Sequence, residues 1–173
     1  MSSLITSSTP LRISLIGGGT DFKEFYEKKD CFGMVISVAI NLKTYCFLKQ
    51  KNKINLKIDK FFFDNNFQNT NIYEKFIYFC KKNKIKKEYD IMFYCDIPSG
   101  SGLGTSSSYI LSLLKAFYLE NKIKISKSKL IENSNYFESK LLKRPIGMQD
   151  AWGSEIYGIK RITFRKKKIS VLN

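Results

Sequence analysis

The sequence predicts an α+β fold in a single domain over residues 1–173, a mixed sheet of about five or six strands with helices packed on one face. Three observations predict it. Short bounded apolar runs of strand length recur from residue 11 to the C-terminal end. Between them stand longer segments whose apolar residues keep helical spacing. A chain of 173 residues, 43% apolar with a mean hydropathy of −0.23, carries enough apolar surface for one soluble core.

Leu11–Ile16 is apolar and bounded, and reads as a buried strand. It runs into Gly17, Gly18, Gly19, Thr20 and Asp21. Consecutive glycines after a strand imply a close approach of the backbone, or simply a bulge or turn. Asp21 is placed to cap a short helical stretch over Phe22–Lys28. Phe32–Ile40 and Thr44–Leu48 read as two strands joined by a turn at Asn41–Lys43. Lys53–Ile58 reads as another, with Asn55 and Lys57 directed away from Ile54, Leu56 and Ile58. Phe61–Asn71 is a polar-aromatic loop. Ile72–Lys82 reads as a helix with Ile72, Phe76 and Phe79 on one face. Tyr89–Cys95 is apolar on both faces except for Asp90, which predicts a central strand.

After that strand comes IPSGSGLGTSSS, with Pro98 fixing the loop entry. Gly100, Gly102 and Gly104 remove Cβ atoms, so backbone N–H groups can close on an anion. The first-turn N–H groups of the helix that follows lack internal partners, and the helix dipole places positive charge there. Thr105, Ser106, Ser107 and Ser108 add hydroxyls at the same end. No Lys follows the last glycine, so this is not the GxxxxGK[ST] loop, and the glycine spacing is not that of a dinucleotide fold. A phosphate cradle and an ordinary capped Gly/Ser turn both fit this stretch alone.

Ile110, Leu113, Leu114 and Phe117 then hold helical spacing and are core. Ser126 caps a second helix running to Leu142, with Leu130, Phe137 and Leu141 as its apolar stripe. Glu138 lies beside that stripe; the structural alternative for it is a surface ion pair with Lys140 or Lys143. Pro145 ends the helix. Asp150 follows in a loop framed by Gly147 and Gly153, next to the only Trp. Lys160–Arg165 and Lys168–Leu172 close the domain as a hairpin, which puts Lys166–Lys168 in an exposed turn.

Composition excludes several classes of function. There is no His and no C-x-x-C pair, which argues against a zinc site and a His-dependent triad. Cys46, Cys80 and Cys95 sit in apolar segments, as reduced buried thiols do. No apolar run approaches the roughly 18 residues of a membrane span, and the N-terminus lacks the pattern of a signal peptide, so the expected location is the cytoplasm. The net charge is +15, but 26 of the 30 basic residues are Lys, scattered along the chain. Nucleic-acid recognition favours the arginine fork, so a solvated basic surface is the preferred reading and a nucleic-acid partner is not expected.

Three patches, PLRISLIGGGTD, IPSGSGLGTSSS and GMQDAWG, together resemble the N-terminal domain of the GHMP small-molecule kinases, in order and separation. The resemblance covers nearly the whole chain and implies a fold shared with a ribosomal-protein domain. It implies an enzyme that moves the γ-phosphoryl group of ATP, with Mg²⁺, to a sugar hydroxyl. The GGGTD patch looks like the branch acting on the anomeric hydroxyl of heptose 7-phosphates. By resemblance, the backbone of Pro98, Ser99, Gly100, Ser101, Gly102, Leu103, Gly104, Thr105, Ser106 and Ser107 would wrap the ATP phosphates. Ser106 and Glu138 would hold Mg²⁺, Asp150 would be the base for the sugar hydroxyl, and Arg12 would lie by the transferring phosphoryl group. Gly17, Gly18, Gly19, Thr20 and Asp21 would form the sugar-binding turn.

Family members continue into a second α+β domain, and the active site lies between the two. That domain is expected to be absent from these 173 residues. Ala151 stands where close relatives place Gln, and Met148 where the heptose branch often has a basic residue. The expected partners are therefore a sugar or sugar phosphate, and a second chain or second copy completing the cleft. The alternatives are a non-catalytic protein of this kind and a basic nucleic-acid-binding domain.

Overall fold

The computed structural model describes residues 4–51, 71–98, 100–166 and 168–173. The strand expected at Lys53–Ile58, the loop expected up to residue 70, Ser99 and Lys167 lie outside the described residues. The elements are β1 (Leu4–Ile16), α1 (Lys23–Tyr26), β2 (Gly33–Gln50), α2 (Asn71–Lys82), β3 (Tyr89–Cys95), α3 (Thr105–Glu120), α4 (Lys127–Tyr136), α5 (Gln149–Glu155), β4 (Ile159–Arg165) and β5 (Lys168–Leu172). A π turn, Phe137–Leu141, continues α4. Among the described residues no helix is long and apolar enough to cross a membrane.

The strands form one five-stranded sheet in the order β1-β2-β4-β5, with β3 also on β2. β2 is its spine. It pairs with β1 along one edge, and on the other with β3 through Thr44–Gln50 and with β4 through Gly33–Val38. Every pairing among the described strands is antiparallel, so within them the expected mixed sheet is an antiparallel one. The helices cover one face, and Met92 and Tyr94 stand exposed on the other.

Three expectations change. β1 begins at Leu4, not Leu11, although LITSSTP is polar. Its hydroxyls are satisfied by α3: Ser7 Oγ donates to Ser112 O at 2.5 Å, and Ser112 Oγ to Thr9 Oγ1 at 3.0 Å. The turn expected at Asn41–Lys43 is a bulge inside one continuous strand. Between the pairs Pro10–Lys43 and Arg12–Ala39, β2 carries more residues than β1. β3 is not central among the described strands. It pairs there with β2 alone and buries Tyr89, Ile91 and Phe93 on one face.

The main core lies between the sheet and α2–α4. Phe117 is fully buried at its centre, with the rings of Phe76 and Phe79 each at 5.7 Å and Tyr118 at 5.2 Å. α3 packs on β1, β2, α4 and α5 and so buries Tyr109, Leu111 and Ala116 beyond its four expected core residues. Burial also pushes the Cys46 thiol up, and that of Cys80 to about 12. Ser126 caps α4 by accepting from Lys129 N at 3.3 Å.

Candidate active site

The sheet delivers β1 beside the N-terminal end of α3, and the glycine loop from β3 closes over it. Arg12 N donates to Leu103 O at 3.0 Å, and Arg12 Nη1 to Gly102 O at 2.9 Å. Gly100, Gly102 and Gly104 all have positive φ, from 75° to 84°. At Gly104 a second constraint applies, since a Cβ there would sit 3.2 Å from Arg12 Cγ. Pro98, Gly100, Ser101 and Gly102 are exposed, so the outer side of the loop is open. The N–H groups of Thr105, Ser106 and Ser107 have no carbonyl inside the helix to accept from them.

Asp150 joins the loop through Arg12. Arg12 Nε and Nη2 both donate to Asp150 Oδ1, at 3.0 and 2.6 Å. Asp150 is in the first turn of α5, not in the loop expected for it. Arg12 is buried and Asp150 partly exposed, so the pair reaches solvent on the carboxylate side.

Glu138 joins the helix end from the other side. It is fully buried, because the π turn carries it inward, and it forms no described ion pair with Lys140 or Lys143. Ser106 Oγ donates to Glu138 Oε2 at 3.0 Å, while Glu138 Oε1 makes no hydrogen bond. Burial pushes this carboxyl up; the nearby hydroxyls of Ser107 and Ser106 and the Arg144 charge offset only part of that. An unpartnered buried oxygen beside a hydroxyl is a donor set of hard oxygens, and it fits Mg²⁺. Among the described residues no group of three or more Cys, Asp and Glu side chains gathers.

The glycine turn after β1 is largely occupied in holding the molecule together. A Cβ on Gly17 would meet Met34 O at 1.9 Å. Thr20 Oγ1 donates to Gly17 O at 2.8 Å and accepts from Met34 N at 3.0 Å. Asp21 does not cap α1, whose N-cap is Phe22. It is fully buried and caps α5 instead, accepting from Gln149 N at 2.9 Å and from Gly19 N at 3.0 Å. Gly147 gives it room: a Cβ there would lie 1.9 Å from Asp21 Oδ2. Gly18 and Gly19 remain the exposed part of the turn.

Sequence reasoning missed two cations here. Arg144 Nη1 donates to Ser106 Oγ, and Arg144 N to Glu138 O at 3.0 Å. Lys160 is buried and donates to Gly153 O at 2.7 Å, closing the last turn of α5; burial pushes its ammonium down to about 8. The signal for Arg144 was its scarcity. The chain has four Arg against 26 Lys, and two of the four stand at this site.

A model of the GHMP kinases N terminal domain matches residues 71–157. A curated relative, the D-glycero-alpha-D-manno-heptose 7-phosphate kinase of Campylobacter jejuni, is 28% identical over 98% of this chain and 53% of its own length. A solved D-glycero-D-manno-heptose 1-phosphate kinase from Bacteroides thetaiotaomicron superposes with a TM-score of 0.81 at 23% identity, over 97% of this chain and 59% of that one. A putative sugar kinase from Campylobacter jejuni gives 0.75 at 25% identity, over 98% and 55%. The chain spans about half the length of the relatives it matches.

Proposed function

The chain belongs to the GHMP kinases, and on that premise we propose that it is the nucleotide-binding part of an ATP-dependent sugar kinase. The observation that carries this reading is the convergence of two acidic groups on one helix end. Glu138 comes through Ser106, and Asp150 through Arg12 and Gly102.

The open loop at Pro98 and Gly100–Gly104 and the first-turn amides of α3 bind the triphosphate, with main-chain N–H groups directed at its oxygens. Mg²⁺, held by the Ser106 hydroxyl and the Glu138 carboxylate, would neutralise charge on those oxygens. Asp150 takes the proton of the attacking hydroxyl. Arg12 holds Asp150 Oδ1 with two of its nitrogens, which leaves Oδ2 to accept. Arg12, anchored to both the loop and the base, fixes their separation, and positioning dominates phosphoryl transfer. Asp21 sets the angle between the glycine turn and α5, and the exposed Gly18–Gly19 backbone faces the acceptor.

The acceptor in this reading is a sugar hydroxyl, the anomeric hydroxyl of a heptose 7-phosphate, in line with what the Campylobacter jejuni relative is named for. The buried thiols of Cys46 and Cys80 suit a reducing cytoplasm. The test is ADP release over a panel of sugars and sugar phosphates with ATP·Mg²⁺. Release specific to one acceptor, falling by about 10²-fold or more in Asp150→Asn, supports the reading. Equal release without any acceptor, unaffected by that substitution, overturns it.

A further inference from the structure

We propose that Ser14 and Gln149, uncovered by Gly18, bind a hydroxyl of the acceptor other than the reacting one: Gln149 Nε2 donates to it and Ser14 Oγ accepts from it. This rests on the kinase reading above and adds to it the side chains that select the acceptor.

The chain has ten glycines, and the fold itself demands nine of them. Gly17, Gly19, Gly100, Gly102, Gly104 and Gly158 take a positive φ, which other residues disfavour. At Gly33, Gly147 and Gly153 a Cβ would lie 2.0, 1.9 and 2.7 Å from a neighbouring oxygen. Gly18 has neither constraint. Its φ is not positive, and a Cβ there would make only ordinary contacts, with Gln149 Nε2 at 3.5 Å and Ser14 Oγ at 3.7 Å. A glycine that the fold does not require costs chain entropy on folding. Being exposed, this one leaves those two polar atoms uncovered.

Both atoms stand beside the proposed base. Arg12 and Ser14 share one face of β1, because alternate residues of a strand point the same way. Arg12 holds Asp150, and Ser14 holds the preceding Gln149, donating to its Oε1 at 2.7 Å. That bond uses the Ser14 proton and leaves lone pairs on its oxygen. Gln149 Nε2 carries two protons and makes one described bond, a long one to Asp21 Oδ1 at 3.4 Å. Asp21 Oδ1 already accepts from Gly19 N at 3.0 Å. A spare donor next to a spare acceptor matches a hydroxyl, which takes one hydrogen bond and gives another. A polyhydroxylated acceptor offers such a group near the hydroxyl that Asp150 would deprotonate, and a site built to bind it discriminates against analogues without it.

The test titrates D-glycero-alpha-D-manno-heptose 7-phosphate, the sugar for which the Campylobacter jejuni relative is named, into protein holding ADP·Mg²⁺. ATP·Mg²⁺ alone is the second ligand, and both are read by calorimetry. Gly18→Ala covers the two atoms and is expected to weaken the sugar phosphate by about tenfold or more. Gln149→Leu, which keeps the main-chain bond to Asp21, weakens it by about fivefold or more. Both variants hold ATP·Mg²⁺ affinity within about threefold. Thermal unfolding separates binding from folding. Gly18→Ala keeps Tm within about 2 °C, whereas Gly17→Ala, whose Cβ would meet Met34 O at 1.9 Å, loses more. Either Gly18→Ala or a folded Gln149→Leu binding the sugar phosphate as the wild type does overturns the inference. So does a fall in Tm for Gly18→Ala as large as that for Gly17→Ala. Should Gln149→Leu not fold, Gly18→Ala alone decides. A wild type that binds ATP·Mg²⁺ but not the sugar phosphate overturns this inference and leaves the nucleotide site standing; one that binds neither overturns both.

Discussion

At its C-terminal end α3 is packed among rings, with Phe117 against Phe76, Phe79 and Tyr118. At its N-terminal end the same helix meets hydroxyls, two arginines and a buried carboxylate, and two polar atoms there have no partner. Burial stabilises the first end, because apolar surface leaves water at no polar cost. Burial at the second end costs free energy, because Glu138 is desolvated without full compensation. One helix thus joins a stabilising end to an end kept under electrostatic tension, and the tension lies where the proposed ligand charges would relieve it.

Substitutions at the two ends should therefore differ in sign. Phe117→Ala removes the centre of the core and is expected to cost about 3–5 kcal/mol in urea unfolding. Glu138→Gln is expected to do the reverse, raising stability at neutral pH by about 0.5–2 kcal/mol while removing a proposed cation ligand. Burial raises the Glu138 pKa, so the folded state holds its proton more tightly than the unfolded state. That contribution is complete in acid and is lost as pH rises through the raised pKa, so the advantage of Gln shrinks in acid. A Gln variant less stable than wild type at neutral pH would erase the contrast between the ends.

A pH-dependent effect tests the α5 side. Lys160 titrates at about 8 in the folded state against an ordinary 10.5. Between those values the unfolded state binds more protons, so wild-type stability rises with pH across that window, by about 2 kcal/mol. Lys160→Met should lack this slope; unfolding curves at pH 8 and pH 10 give the comparison. The least effect is expected at an exposed position that belongs to neither cluster. Ser126→Ala removes an exposed cap and should cost about 0.5 kcal/mol in thermal unfolding with nucleotide binding unchanged.

Legibility in the sequence followed the kind of interaction. β3 and the helix at Ile72–Lys82 were readable because apolar residues mark their buried faces. The cap at Ser126 and the start of α3 were readable from local chemistry. The first half of β1 was not, since its buried face is made of hydroxyls whose partners are more than 100 residues away. Asn41–Lys43 has turn composition, and only its pairing with β1 makes it a bulge. At the site, Arg12, Glu138, Ser106 and Asp150 were singled out by the family resemblance, whereas their own local pattern offered an ion pair for Glu138 and a turn for Asp150. The sequence did not show that Asp21 serves as a cap for α5, or that a π turn brings Glu138 inward, because both depend on elements distant in the chain.

The central claim is that Ser106 and Glu138 form a cation site serving a nucleotide held by the glycine loop. Calorimetric titration of ATP with and without Mg²⁺ into wild type, Ser106→Ala and Glu138→Gln tests it most directly. The account predicts that wild type binds ATP more tightly with Mg²⁺, and that both variants keep their metal-free affinity while losing the Mg²⁺-dependent gain. A gain of equal size in all three proteins, or none in the wild type, would contradict it.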